Sequence, residues 1–403
     1  MKRNPPLADA TIKGAEIIMV KTGKLVVFAA LVFVMLPYAD VLGLDTANIA
    51  QLQKDVSAAP GPVSASGQAI MANFITEGLQ EILLVEDNAE MAKIRSQLAR
   101  FAGTSAQPSQ YSLAYIRAMR TGIPKTLNKI ARMETSDIKT AIEVNLMILL
   151  AQLKSSELAP HALPFMSRSN AAVKYWAVKA VANKSVATQL NSDVTDDEEL
   201  KAKIISSLMP IITNDTPAVI LDTIVDFAAN LKGLQGKDLL GKICILRTKA
   251  YADWTVNYEL MDAGLLNAVA DQIVALKGDQ KERTNFSRVF AQLYSYVIQR
   301  VILGGEMLDD NTKKNLIRVM LDVEEKGIFK IMGSRQNDIK QAVSLMRRDP
   351  EILQIKHDAV LGDSERPGML QNELKFNYGI SSTGRPLTYP KKLKALIIPD
   401  DQP

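Results

Sequence analysis

The side chains best suited to nucleophilic or metal chemistry are scarce in this chain. Its 403 residues include one cysteine and two histidines. Nucleophilic catalysis needs a Ser or Cys that is activated by a neighbouring base. Cys244 lies in a largely apolar run, residues 242–246, which is typical of a buried small hydrophobe. His161 and His357 have no partner at a meaningful spacing along the chain, so we predict surface or structural roles for both.

Sequence motifs for catalysis and cofactor binding are missing as well. The chain has no Gly-x-Ser-x-Gly elbow, no phosphate-binding Gly-Lys-Ser/Thr loop, no dinucleotide-binding glycine pattern and no His-Glu-x-x-His pair. We therefore predict no catalytic, cofactor-binding or metal-ligating residue and no cofactor. The 44 acidic residues could supply two carboxylates for acid–base hydrolysis, although no pair stands out. The sequence favours a protein without enzymatic activity and leaves a hydrolase as the alternative.

Composition and charge narrow the class of partner. Apolar residues make up 47% of the chain and charged residues 23%, which excludes disorder over most of its length. The formal net charge is +4, and residues 1–43, with five basic and three acidic side chains, account for +2 of it. Nucleic-acid binders usually carry a strongly basic stripe, and the body of this chain contains no basic run. We expect no nucleic-acid partner.

The N-terminal region predicts export. Twelve consecutive apolar residues, Leu25–Leu36, follow Lys21 and Lys24. A membrane-spanning helix needs about 20 apolar residues, whereas the apolar core of a secretory signal takes about 7–15. Small residues precede position 44, so we predict a signal peptide over residues 1–43 that is cleaved between Gly43 and Leu44.

Two features qualify this prediction. Met19 opens a shorter and purely basic leader, so the true start of the protein could be Met19. An uncleaved signal would leave residues 25–43 as a membrane anchor, which is the only membrane contact that we expect. A buried cytosolic helix is the third interpretation. The leading one is a bacterial protein of the periplasm or the extracellular space.

The rest of the chain divides by composition. Residues 44–70 are predicted to be a flexible linker, because residues 57–67 are small and rich in Pro and Gly. Residues 71–350 show helical periodicity of apolar side chains, with breaks at prolines such as Pro124. Residues 351–403 are predicted to be an extended tail, because five prolines and four glycines occur from Gly362 to Pro403. The predicted fold class is therefore all-α with an irregular C-terminal extension.

An internal repeat is the most informative feature of the helical region. Residues 163–173 and residues 209–219 both read apolar-Pro-apolar-apolar, then a polar turn, then Ala-Val. The match continues at the same offset, since Val178 pairs with Ile224 and Val181 pairs with Phe227. A period of about 40–47 residues with two helices per unit is typical of HEAT-type repeats.

Residues 169–181 resemble the second helix of a HEAT repeat, and residues 262–269 are similar to the armadillo variant. The resemblance is clearest over residues 160–232. It implies a right-handed α-α superhelix, or solenoid, in which each helix pair completes its core on its neighbours. The alternative is an ordinary globular helical domain with two similar segments. Shape defines this family, so the resemblance implies no reaction.

These observations together predict a non-catalytic scaffold or protein-binding module in the cell envelope. It would hold a protein partner on the concave face of the helical stack. The alternative is an envelope hydrolase with a carboxylate-lined cleft on a helical scaffold. The sequence names neither the partner nor the ligand.

Overall fold

The chain is all-helical, as the sequence predicted. The structure is a computed structural model that describes residues 44–58, 61–103, 109–192, 198–232 and 234–394. Within these ranges the regular structure is helical, and the one β-type feature is an isolated antiparallel bridge between Ile380 and Pro386. The α-helices are α1 (Ala47–Ala58), α2 (Ala65–Leu84), α3 (Asn88–Arg100), α4 (Gln110–Ala131), α5 (Asp137–Leu153), α6 (Ala171–Val181), α7 (Lys184–Leu190), α8 (Glu198–Leu208), α9 (Ala218–Asn230), α10 (Leu234–Ala252), α11 (Met261–Ala275), α12 (Gln280–Gly304), α13 (Asp310–Asp322), α14 (Phe329–Met332), α15 (Asp338–Leu345), α16 (Ile352–Leu361) and α17 (Met369–Leu374).

The predicted linker over residues 44–70 contains helix instead. Helix α1 fills most of its first half, and α2 begins at Ala65. The Asp45 carboxylate accepts a hydrogen bond from the Ala47 amide and so caps α1. Ile49 and Leu52 stand three positions apart and pack on the core, with Ile49 fully buried. This apolar spacing is helical. The linker prediction rested on the small residues that follow and overlooked it.

The internal repeat corresponds to a repeated structural unit. Each copy places its apolar-Pro-apolar motif in a 3₁₀ turn, Leu163–Phe165 in the first and Met209–Ile211 in the second. The second helices of the two copies, α6 and α9, then pack against each other. Three pairs of aligned side chains in these two helices are fully buried: Val178 with Ile224, Val181 with Phe227 and Ala182 with Ala228.

Helix packing follows chain order through most of the molecule. Helix α2 packs on α4, α3 on α5, α5 on α6, α9 on α10 and α11, and α12 on α10, α11 and α13. The buried apolar side chains form one continuous cluster from Leu44 to Leu393. Helices that pack mainly on near neighbours in sequence are what a stack of repeats requires.

Pro124 does not end a helix, contrary to the prediction. It lies inside α4, which continues to Ala131. A proline in a helix interior removes one backbone hydrogen bond, here the one to the carbonyl of Arg120. Burial of Ile123 and Ile130 on either side holds the helix together across this gap.

The predicted tail also contains regular structure. Helices α16 and α17 lie within residues 351–403, because Leu353, Val360 and Leu361 recur at helical spacing and are buried. Residues 375–394 are irregular, as expected for their Pro and Gly content. The predicted signal peptide, including Gly43, lies outside the described residues. Leu44 is the first described residue, and its side chain is buried.

Candidate functional site

A groove runs between α2 and α4 and has a volume of about 610 Å³. Its floor consists mainly of small residues from the two helices, together with the buried side chain of Leu79. Gly122 allows α4 to approach α2 closely, because a Cβ at this position would lie 2.9 Å from Leu79 Cδ1. The small floor residues are Ala69, Ala72, Ala114, Ala118 and Gly122.

The rim of this groove is basic. Arg117, Lys125 and Lys129 line it and are exposed to solvent. They stand on one line of α4, at positions separated by multiples of four, and span about 18 Å at 1.5 Å per residue. Among the described residues, the lining includes no Asp or Glu, and none of the three cations has a carboxylate partner. The groove therefore presents uncompensated positive charge.

Helix α4 as a whole explains this charge. Its 22 residues carry four basic side chains and no acidic one. The fourth, Arg120, lies off the groove and pairs with Glu157 at 3.4 Å. This bias was visible in the sequence, but the basic residues are separated by apolar ones and form no run. Only the helical period brings them to one face.

A second polar cluster is buried between α10 and α11. Asp262 is fully buried and accepts hydrogen bonds from Arg247 Nε and Nη2, both at 2.7 Å, and from the Tyr251 hydroxyl at 2.8 Å. Burial lowers the pKa of Arg247, but the charge of Asp262 and its hydrogen bonds raise it by more, so the guanidinium stays charged. With its carboxylate lone pairs occupied, Asp262 is a structural anchor.

Arg300 borders this cluster. Its guanidinium lies 5.4 Å from the centre of the Trp254 ring and 5.7 Å from that of Tyr251, and 3.7 Å separates its Nη2 from Glu259 Oε1. Burial raises the pKa of Glu259 and outweighs the lowering by Arg300. Trp254 itself adopts a left-handed backbone conformation with φ of 57°.

A third cluster joins α12 to α16. Ser295 Oγ lies 2.8 Å from His357 Nε2, and His357 Nδ1 lies 2.8 Å from Asp358 Oδ1. This is the order of groups in a serine–histidine–aspartate triad. Ser295 is fully buried in the middle of α12, where helix hydrogen bonds already use the neighbouring amides. The amides of α12 beside Ser295 are therefore not free to stabilise an oxyanion.

The direction of two of these hydrogen bonds is fixed by chemistry. The Asp358 carboxylate can only accept, so His357 Nδ1 is the donor to it. Gln299 Nε2 donates to Ser295 Oγ at 2.7 Å, and the same Oγ is hydrogen-bonded to His357 Nε2. Burial raises the pKa of Asp358, but hydrogen bonds from His357 and Gln354, with the charges of His357 and Lys392, lower it below its ordinary value.

Gln299 also holds the C-terminal strap, which we define as residues 390–394. Its Oε1 accepts from the Leu393 amide at 2.6 Å, and its Nε2 donates to the Lys391 carbonyl at 3.1 Å. Gln292 makes a matching pair with Lys391, accepting from its N–H at 2.8 Å and donating to its carbonyl at 3.2 Å. Trp254 Nε1 donates to the Lys394 carbonyl at 2.8 Å.

Of the three residues that the sequence analysis considered for chemistry, Cys244 and His357 are buried and His161 is half-buried. Cys244 is fully buried, as predicted, and burial raises the pKa of its thiol, with a further contribution from the charge of Asp262. His161 is half-buried at a 3₁₀ turn, where burial and then the charge of Arg120 lower its pKa. His357 is buried and does have partners: Asp358 is the next residue in the chain, and its carboxylate was overlooked as a partner, whereas Ser295 is 62 positions away and could not be paired with it from the sequence.

The fold and these clusters define an all-helical protein with a basic groove and an internally docked C-terminal segment. No protein-family model matches the chain, and no curated protein matches it in sequence. In the described part of the chain, no helix combines the length and the apolar character needed to cross a membrane. Within the same ranges, His, Cys, Asp and Glu side chains form no group arranged to hold a metal ion.

Proposed function

We propose that this protein is a non-catalytic binding protein that holds an acidic segment of a partner protein in the groove between α2 and α4. The observation that carries the proposal is the row of Arg117, Lys125 and Lys129 along a groove of about 610 Å³, without a carboxylate among the described lining residues. Uncompensated charge along a concave surface attracts a ligand of opposite sign.

The groove best fits a helical occupant. Its floor of alanines and Gly122 lets another backbone approach closely, and an amphipathic helix commonly binds in such a groove. The basic row covers about 18 Å, the length of roughly 12 helical residues. Acidic side chains at every fourth position of the partner would match the spacing of the row.

We further propose that the helices stack as a right-handed HEAT-like solenoid. The repeat of residues 163–173 at 209–219, the shared burial of its paired positions and the packing of α6 on α9 support this arrangement. On this proposal the α2–α4 groove is part of a longer binding surface built from successive helix pairs.

The cellular location remains a proposal from the sequence. We propose export, with removal of residues 1–43 before Leu44, and membrane anchoring through residues 25–43 if cleavage does not occur. The partner is then a protein of the cell envelope or of the cell exterior.

A charge-reversal experiment tests the groove. The probe is a fluorescent peptide of about sixteen residues, ~24 Å as a helix, with Glu at every fourth position and Ala or Leu between. We expect Lys125→Glu to weaken its binding at least tenfold, measured by fluorescence anisotropy. Arg120→Glu is the matched control, because it makes the same charge change on the same helix but outside the groove.

Salt dependence sharpens this test. Electrostatic screening lengths fall from about 30 Å at 0.01 M salt to about 8 Å at 0.15 M, so the affinity of the native protein should drop with added salt. Lys125→Glu should show little of this dependence. Equal losses in Lys125→Glu and Arg120→Glu would mean that the peptide responds to net charge alone, and the groove proposal would then be wrong.

A hydrolase remains the second candidate, and one observation favours it. Ser295, His357 and Asp358 form a hydrogen-bonded chain with triad order. Complete burial of Ser295 and the use of its neighbouring amides within α12 weigh against a role in catalysis. Labelling of Ser295 by a fluorophosphonate probe in the native full chain would favour the hydrolase, whereas the binding proposal expects no labelling.

A further inference from the structure

The C-terminal strap is held in an unusual manner. Five hydrogen bonds tie its main chain to the protein, and all five come from the side chains of Gln292, Gln299 and Trp254. In the described part of the chain, the main-chain groups of residues 391–394 bond to no other main-chain group. We call these three side chains the amide trough.

The amide trough binds the main chain of a peptide, so its hydrogen bonds do not by themselves select a particular sequence. A helix cannot pair its own backbone with an added segment, because its N–H and C=O groups are already used within the helix. The Gln side chains supply the missing donors and acceptors instead, because a side-chain amide, like a peptide group, can both donate and accept a hydrogen bond. Gln292 and Gln299 are seven positions apart, two turns of α12, and so lie on the same face.

Specificity comes from two buried side chains of the strap. Pro390 and Leu393 are buried, whereas Lys391, Lys392 and Lys394 are exposed. The anchors are thus an apolar pair three residues apart, with cations between and after them. Removal of these apolar side chains from water stabilises the contact.

The charges of the strap and of its surroundings are complementary. The positive charge of Lys392 acts on Asp358, whose carboxylate is about one-third exposed beside His357. A negative group at this edge of the trough favours a basic segment over an acidic one. The trough therefore selects a different class of ligand from the basic α2–α4 groove.

We propose that the amide trough is a binding site for basic peptide segments of a partner that carry Pro and Leu three residues apart, and that the strap occupies this site in cis as an intramolecular competitor. The trough belongs to α12 and to the α10–α11 loop, so the proposal stands independently of the α2–α4 groove. An intramolecular competitor has an effective concentration in the millimolar range. Partner binding is consequently weak until the strap is released.

A peptide in trans tests the proposal. The probe is a fluorescein-labelled synthetic peptide with the sequence of residues 386–394, titrated into the full chain. Leu393→Asp in the protein removes the buried anchor of the strap, and we expect this variant to bind the peptide at least tenfold more tightly than the native chain. Adding Gln292→Ala and Gln299→Ala to this variant should abolish the binding. Equal affinities of the native chain and Leu393→Asp would overturn the proposal.

A milder variant guards against unfolding. Lys392→Asp changes an exposed side chain and places a negative charge near Asp358, so it should loosen the strap and raise peptide affinity severalfold. Lys391→Asp is the matched control, because it makes the same charge change on an exposed side chain and keeps both main-chain hydrogen bonds to Gln292. A gain in Lys391→Asp as large as in Lys392→Asp would contradict the proposal.

Histidine NMR locates the bound peptide. Gln299 connects the strap through Ser295 to His357, and the chain contains only one other histidine, His161. Release of the strap should shift the ring nitrogen signals of His357 and leave those of His161 unchanged. The peptide should return the His357 signals of Leu393→Asp to their native positions. If the peptide binds but leaves the His357 signals unchanged, it binds elsewhere, and the proposal that the amide trough is its site is refuted.

Discussion

The buried ion pair of Arg247 and Asp262 allows a stability prediction that can be worked out from the structure. Asp262 is fully buried and satisfies two guanidinium donors and the Tyr251 hydroxyl. Asp262→Ala would leave Arg247, which is 3% exposed, charged and without this partner. Removing one member of a buried pair typically costs about 3–5 kcal/mol, because the remaining charge loses its compensation.

The expected change in melting temperature follows from the size of the folded unit. Residues 43–403 form one unit, and unfolding about 350 residues corresponds to an entropy of about 0.7 kcal/mol/K near the midpoint. A loss of 3–5 kcal/mol then lowers Tm by about 4–7 °C, provided that the unit unfolds cooperatively. Differential scanning calorimetry of the native chain and Asp262→Ala measures both Tm and cooperativity.

A double-mutant cycle decides whether the cause is the unpaired charge. Replacing both partners, as in Asp262→Leu with Arg247→Met, removes the stranded guanidinium, and such apolar replacements are often neutral. We expect the double variant to be more stable than Asp262→Ala. If the double variant is at least as unstable as the sum of its single changes, the loss arises from packing around Tyr251 and the electrostatic reasoning is refuted.

Four further outcomes are expected. Gly122→Leu should lower the free energy of unfolding by about 1–3 kcal/mol, because the larger side chain overpacks the contact with α2. Thr121→Leu, on the exposed side of α4, is the control and should not lower it. Equal losses of stability in thermal melts of the two variants would contradict the packing argument. Burial, and then neighbouring acidic side chains, raise the pKa of Glu81, so the contribution of Glu81 to stability is lost as pH rises through that pKa. Glu81→Gln should therefore be more stable than the native chain at pH 7, by less than about 1 kcal/mol. Thermal melts should show no gain from this variant below about pH 4. The thiol of Cys244 should react with a colorimetric thiol reagent only after denaturation, and rapid reaction in the native state would place it outside the core. Mass spectrometry of protein purified from its host should show a chain that begins at Leu44, and retention of residues 1–43 would favour an anchor.

Local sequence signals predicted the helices but misjudged some boundaries. At α13 the local signal agrees with the structure, because Asp309 is a residue type that favours the start of a helix and it caps α13 by accepting from the amides of Asn311 and Thr312. Pro124 was expected to end a helix, yet α4 passes through it because buried neighbours compensate for the lost hydrogen bond. Local rules report propensity, and tertiary burial overrides them where it contributes more free energy.

Candidate sites were harder to predict than helices. The basic face of α4 could have been found by counting charges at helical spacing, since its residues lie within one helix. The groove beside it could not, because it needs the packing of α2 against α4. Asp358 is next to His357 in the chain, but Ser295 is 62 positions from it, and Gln292 and Gln299 are more than 90 positions from the strap residues that they bind.

The sequence alone determined that the chain is mainly helical and that two of its segments repeat the same apolar pattern. Both depend on the period of apolar side chains, which the helix geometry converts directly into a buried face. The tertiary structure alone decided which polar groups meet: Arg247 with Asp262 across a loop, Gln299 with both Ser295 and the strap. Polar contacts depend on angstrom-scale placement of elements that are distant in sequence, and hydrophobic periodicity carries no information on that placement.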